Sequence, residues 1–108
     1  MVAGHLRDEG GAETFRLVNE RVRLGMLSAL AVRSPMSFAQ LKETLGVTDG
    51  NLSVHARKLE EAEFIACRKS FRDRRPYTEY ALTTKGREAF DRYLEHMEAL
   101  IKVMRETT

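Results

Sequence analysis

The sequence predicts a mainly helical α+β domain with one small β-hairpin, on three observations. Apolar residues recur at helical spacing in four stretches, between about Glu20 and Val32, Phe38 and Leu45, Asp49 and Ala62, and Thr84 and Arg105. The stretch after Phe64 alternates instead, and a returning run follows a polar, proline-ended tip. Basic residues concentrate in that alternating part: seven from Arg68 to Arg87 against two acids, whereas Glu88 to the C-terminus carries five acids against three bases.

A chain of 108 residues with 43% hydrophobic and 31% charged content suits one globular domain. At this size roughly 60–70% of the unfolded surface can be buried, enough for a core without staples. One cysteine, Cys67, excludes an internal disulfide framework and fits a reducing interior. No apolar run approaches the ~20 residues of a membrane span, and the first residues lack the apolar core of a signal peptide. The expected location is therefore cytoplasmic, with no membrane contact. A net charge of +2 says little, but a concentrated basic segment on a near-neutral chain implies a localised anionic partner.

Residues 1–13 are glycine-rich and aperiodic and are expected to form a flexible lead-in, with one domain over 14–108. Phe15, Leu17 and Val18 are apolar enough to be ordered, on this domain or on a second subunit. The first helix, capped by Asn19, turns Val22, Met26, Ala29 and Leu30 to one side, with Leu24 and Leu27 widening the face. Arg33-Ser34-Pro35-Met36 ends it. Ser37-Phe38-Ala39-Gln40 has the form of a capping box, and the short helix it opens points Phe38, Leu41 and Leu45 inward. Gly46 stops that helix and Thr48 caps the next, whose Leu52, Ala56 and Leu59 form its buried face. Two short helices joined through a glycine make a helix-turn-helix.

In Ile65–Phe71, Ile65, Cys67 and Phe71 fall on one side of a strand. Tyr77–Thr83 is rich in β-formers and returns beside it, so Arg72-Asp73-Arg74-Arg75-Pro76 becomes a basic hairpin tip. Thr83 or Thr84 caps the last helix. Its seam of Phe90, Tyr93, Leu94, Met97, Leu100, Ile101 and Met104 runs ~30 Å, longer than one small domain needs. Pairing with a second copy through this seam is the expectation; folding back over the first helix is the alternative.

The element order, with Leu52-Ser53-x-His55-x-x-Lys58-Leu59-Glu60-Glu61-Ala62 and Leu82-Thr83-x-x-Gly86-Arg87, resembles the winged helix-turn-helix transcriptional regulators, closest to the compact MarR and ArsR types. The resemblance covers about Asn19 to Leu94 and is most specific at Leu45-Gly46-Val47-Thr48-Asp49-Gly50-Asn51-Leu52-Ser53. It implies a dimeric, cytoplasmic, nucleoid-associated repressor or activator, with repression as the expectation. Helix 49–62 would enter the major groove of a pseudo-palindromic operator, and the wing 71–76 would lie along the backbone or minor groove. Two positions depart from the family pattern: Glu63 stands where a glycine is usual, and Ala56 where a leucine is usual. A left-handed residue 63 would cost on the order of 1 kcal/mol without glycine.

The candidate DNA-binding residues are Thr48, Gly50, Asn51, Ser53, Val54, Arg57 and Lys58 on the second helix of the pair, and Lys69, Arg72, Arg74 and Arg75 on the wing. Asn51, Ser53 and Arg57 carry donors for base edges or phosphates, and Val54 suits a thymine methyl. Gly50 is poor for a first helical turn, which a close backbone approach to phosphate explains and a flexible cap explains equally. Three arginines within four residues repel one another unless an anion lies between them. Arg68 and Lys85 are read as phosphate contacts or plain surface. His55 borders the buried face and is read as a packing residue.

Cys67 is expected in the core, and His5, His55 and His96 share no ligand spacing with it, so no metal or other cofactor is expected. Phosphate loops, Gly-x-Ser-x-Gly and paired Cys/His constellations are absent, so no enzyme activity is expected. Any small-molecule effector is left open, because no polar cluster marks a pocket. Two other readings of the same basic wing remain at this point: a protein-interaction or assembly module that docks an acidic partner, and an RNA-binding winged helix.

Overall fold

The computed structural model describes residues 9–107. In chain order it contains α1 (Glu9–Val18), α2 (Arg21–Val32), β1 (Met36–Ser37), α3 (Phe38–Leu45), α4 (Asp49–Glu61), β2 (Ile65–Arg72), β3 (Arg75–Leu82) and α5 (Thr84–Glu106). The mainly helical class and the hairpin are as the patterning predicts. Val22, Met26, Leu27 and Leu30 of α2 join Leu41, Leu52, Ala56, Leu59, Ile65, Tyr80, Ala89 and Phe90 in one buried cluster.

Helix α1 begins within the segment expected to be a flexible lead-in; residues 1–8 lie outside the described part. Its end is ordered by contacts far along the chain. Val18 is fully buried, and Phe15 sits 5.2 Å from the Tyr93 ring and 4.7 Å from the His96 ring, centroid to centroid. Asn19, expected to cap α2, instead accepts a hydrogen bond from the Tyr93 hydroxyl at 2.9 Å. The cap is Glu20, whose Oε1 accepts from the Arg23 backbone N–H at 2.8 Å.

The sheet has the order β1-β3-β2, antiparallel throughout. Strand β1, which periodicity does not reveal, pairs Met36 with Tyr80 and Ser37 with Glu79. Two residues are too short to carry an alternation, and the strand exists only because β3 lies beside it. Ser37 then serves twice, closing the expected capping box with Gln40 over α3. The hairpin is tighter than predicted. Its strands run on to Arg72 and Arg75, which pair directly, leaving a two-residue turn at Asp73 and Arg74 with φ of 52° and 66°. Positive φ at both central residues is the geometry that matches strand twist in a two-residue loop. Pro76 is therefore a strand residue, at a place where β3 has a neighbour on one side only.

Helix α4 ends as the family comparison of residue 63 anticipates. Glu63 has φ of 66°, its N–H donates to Glu60 O at 2.9 Å, and the Phe64 N–H donates to Leu59 O at 2.9 Å. This is a Schellman closure with a glutamate at the left-handed position, and the buried Leu59 and Phe64 supply its apolar contact. The start of α5 locks onto the same turn. The Thr83 hydroxyl caps Gly86 N–H at 2.9 Å and donates to the carbonyls of Glu63 (2.7 Å) or Phe64 (3.0 Å). A β-carbon on Gly86 would lie 2.1 Å from Phe64 O, so only glycine fits there. The Leu82-Thr83-x-x-Gly86 motif thus fixes the hairpin's base to the end of α4.

Candidate nucleic-acid interface

The turn between α3 and α4 is built as its residues dictate. Gly46 takes φ of 64° and ends α3, and Thr48 Oγ1 accepts from the Asn51 N–H at 3.2 Å to cap α4. Asp49 Oδ1 meets Lys42 Nζ at 2.8 Å, an exposed pair worth at most about 1 kcal/mol that also complements the α4 dipole. Leu52, Ala56 and Leu59 are 0–1% exposed, which seats the helix by one face.

Its other face is open. Thr48, Gly50, Asn51, Ser53, Val54, Arg57 and Lys58 are all exposed, Val54 to 54%. A β-carbon added at Gly50 would meet nothing within 4 Å, so nothing inside the chain requires glycine there. The four wing residues Lys69, Arg72, Arg74 and Arg75 are exposed as well. Arg57, Lys58, Lys69, Arg74 and Arg75 make no ion pair among the described residues. Arg72 is braced, its guanidinium carbon 3.9 Å from the Tyr77 ring centroid. Such a cation–π contact is worth roughly 0.5–1 kcal/mol on a surface and holds the guanidinium along the hairpin.

Two other basic residues are occupied. Arg68 donates to Glu79 Oε1 from NH2 at 2.8 Å and from Nε at 3.2 Å, neutralising a carboxylate that is 8% exposed. Lys85 lies 3.5 Å from Glu63. Cys67 is half-buried against Tyr80; burial pushes the thiol above its ordinary value, helped by the nearby Glu60 charge. Burial likewise pushes the Tyr80 hydroxyl up to about 12, with Cys67 and Glu60 adding to the shift. A thiol kept protonated is a poor nucleophile, in keeping with a packing role.

The seven seam residues of α5 divide. Phe90 and Tyr93, counted as dimer contacts from their spacing, are 7% exposed and belong to the chain's own core, because α1 and α2 cover that end of α5. Met97 packs at the core's edge. Leu94 before it and Leu100, Ile101 and Met104 after it are 40–57% exposed, joined by Val103, which the spacing does not single out.

Sequence reasoning missed a buried polar cluster under α4. Arg23 is 8% exposed; its Nε donates to Leu17 O at 2.6 Å and its NH1 to His55 Nδ1 at 2.9 Å. Glu20 Oε1 lies 3.4 Å from the same Nδ1. The signal was available: Arg23 precedes Leu27 and Leu30 by four and seven, which places it in the apolar stripe of α2. Among the described residues no group of three His, Cys, Asp or Glu side chains is placed to hold a metal, and no helix is long and apolar enough to cross a membrane.

Known proteins share this arrangement. Residues 22–101 match the family model of the winged helix DNA-binding domain. An uncharacterized protein of Methanocaldococcus jannaschii is 39% identical over 88 residues, covering 82% of this chain and 96% of its own. A transcriptional regulator homologue from Pyrococcus horikoshii superposes with a TM-score of 0.78 at 32% identity, over 82% of this chain and 88% of that one. A MarR-family regulator from Enterococcus faecalis reaches the same TM-score at 18% identity, over 94% and 91% of the two chains, a likeness of fold. With most of its length matched by the family model and a relative this similar, the chain belongs to the winged-helix DNA-binding domain family.

Proposed function

We propose that this DNA-binding protein is a dimeric transcriptional regulator that reads a pseudo-palindromic operator. The observation that carries the reading is the exposure of the outer face of α4 and of the hairpin tip, where Arg57, Lys58, Lys69, Arg74 and Arg75 make no ion pair among the described residues. Helix α4 enters the major groove, where Asn51, Ser53 and Arg57 reach base edges and Val54 meets a thymine methyl. The open Gly50 lets the α4 backbone come close to a phosphate. Lys58, Lys69, Arg72, Arg74 and Arg75 hold the backbone or the adjacent minor groove, giving affinity without sequence information.

The apolar strip from Leu94 to Met104 pairs with its copy, and Phe90 and Tyr93 brace it from within the subunit. A two-fold pair places two α4 helices about one DNA turn apart, roughly 34 Å. Binding to such an operator represses by occupying it. Selection of duplexes from a random-sequence pool tests the reading. The expected result is an enriched motif with two inverted half-sites 10–11 base pairs apart, centre to centre. Enrichment of a single half-site would remove the dimer, and no enrichment would remove sequence reading.

A further inference from the structure

We infer that Arg23 is a positioning residue for the DNA-reading helix, acting through His55, so that sequence discrimination is lost when the tie between them is broken. The inference rests on the proposed reading of DNA by α4 and adds how that helix is held. Arg23 is almost fully buried, and a buried guanidinium is tolerated only when its donors are used. It spends Nε on the Leu17 carbonyl in the last turn of α1, and NH1 on His55 Nδ1 in the middle of α4. One side chain therefore ties the end of α1, the first turn of α2 and the inner side of α4 together.

The chemistry of the second bond is one-sided. A guanidinium has only N–H donors and does not give up its proton in a protein, so Nδ1 of His55 must be the acceptor. That fixes the imidazole as neutral with its hydrogen on Nε2. Glu20 Oε1, which caps the Arg23 backbone N–H, lies 3.4 Å from Nδ1.

Among the described residues few polar groups face His55. From the α2 side they are Glu20 and Arg23; from α1 it is the Leu17 carbonyl, while Arg16 is turned to solvent. One turn away on α4 itself, Asn51 and Lys58 are exposed and Leu59 is buried. Since α4 carries Ser53, Val54 and Arg57 on either side of His55, a shift of its seating moves the base-reading groups directly. Wing contacts to phosphate are untouched.

The test compares a duplex selected by the protein with a scrambled duplex of equal length, for the wild type, Arg23→Met and His55→Asn. Arg23→Met keeps an unbranched side chain without a donor, and its preference for the selected duplex should fall about tenfold or more, the scale of a lost hydrogen bond to a charged group. His55→Asn keeps an acceptor oxygen near the place of Nδ1, and its preference should stay high. The salt slope on the scrambled duplex should stay at the wild-type value in both variants, and a urea titration checks that each is folded.

A folded Arg23→Met variant that keeps the wild-type preference, or a His55→Asn variant that loses it, overturns the inference. Imidazole nitrogen NMR of the DNA-free protein provides a reading that does not depend on DNA. His55 should show the Nε2–H tautomer with an acceptor Nδ1 at neutral pH, and an Nδ1–H tautomer would overturn the clamp. If that tautomer is found while no duplex is preferred over scramble, it is the DNA reading that has failed.

Discussion

Helix α4 and the β2–β3 hairpin both present basic side chains to solvent, but they are anchored in opposite ways. The helix is fixed along its length by Leu52, Ala56 and Leu59 and by the His55–Arg23 bond. The hairpin loses contact with the core beyond Cys67 and Tyr80, and its outer half is held by cross-strand pairing, Arg72 over Tyr77 and the two-residue turn. Phe71 illustrates the difference. It continues the side of β2 that buries Ile65, yet it is 75% exposed, because no element remains to cover it. A base-reading group must be held to within a fraction of an ångström, whereas a phosphate contact tolerates an adjustable arm. The rigid element is suited to specificity and the free-standing one to affinity.

The largest expected effect tests the arm. Replacing Arg72, Arg74 and Arg75 by alanine removes the three proposed phosphate contacts, which should lower the salt slope of log K by about 2.7. Affinity should fall about a hundredfold near 0.15 M salt, equally for selected and scrambled duplexes, as titration in several salt concentrations would show. A loss confined to the selected duplex would make the wing a sequence reader. Next in size, Arg57→Ala should cost about 1–3 kcal/mol on the selected duplex and relax preference at one position of each half-site, with the scrambled duplex little affected. A uniform loss would place Arg57 on phosphate.

The smallest effect concerns the hinge between the two regions, where Glu63 holds a left-handed φ of 66°. Glu63→Gly should stabilise the fold by about 1 kcal/mol in a denaturant titration, since the exposed contact to Lys85 at 3.5 Å offsets little of the relief. A destabilised variant would show that the Lys85 contact, not the backbone, governs that turn.

Much of α4 was legible because its signals are local. Gly46, Thr48 and the spacing of Leu52, Ala56 and Leu59 lie within fourteen consecutive residues and define both ends and the buried side. The hairpin was legible in outline, but alternation cannot say where two strands stop pairing. Its turn therefore shrank from a five-residue tip to Asp73 and Arg74. Features made by distant partners were not legible. Strand β1 needs Tyr80, 44 residues away from Met36, and although the stripe of α2 marks Arg23 as buried, nothing local names its partner His55, 32 residues on. Seam residues Phe90 and Tyr93 have the periodicity of the exposed ones after them. The positions of α1 and α2 decide that they are internal, α1 meeting Tyr93 through Phe15 and Asn19.

The division between a reading helix and a holding arm is tested most directly by titrating the wild-type protein with selected and scrambled duplexes across a series of salt concentrations. The expected result is two nearly parallel lines of log K against log salt, separated by a factor of at least about 10³. The shared slope would come from the phosphate contacts and the separation from α4. Lines that coincide would contradict the account, because the same surface would then bind DNA without reading it.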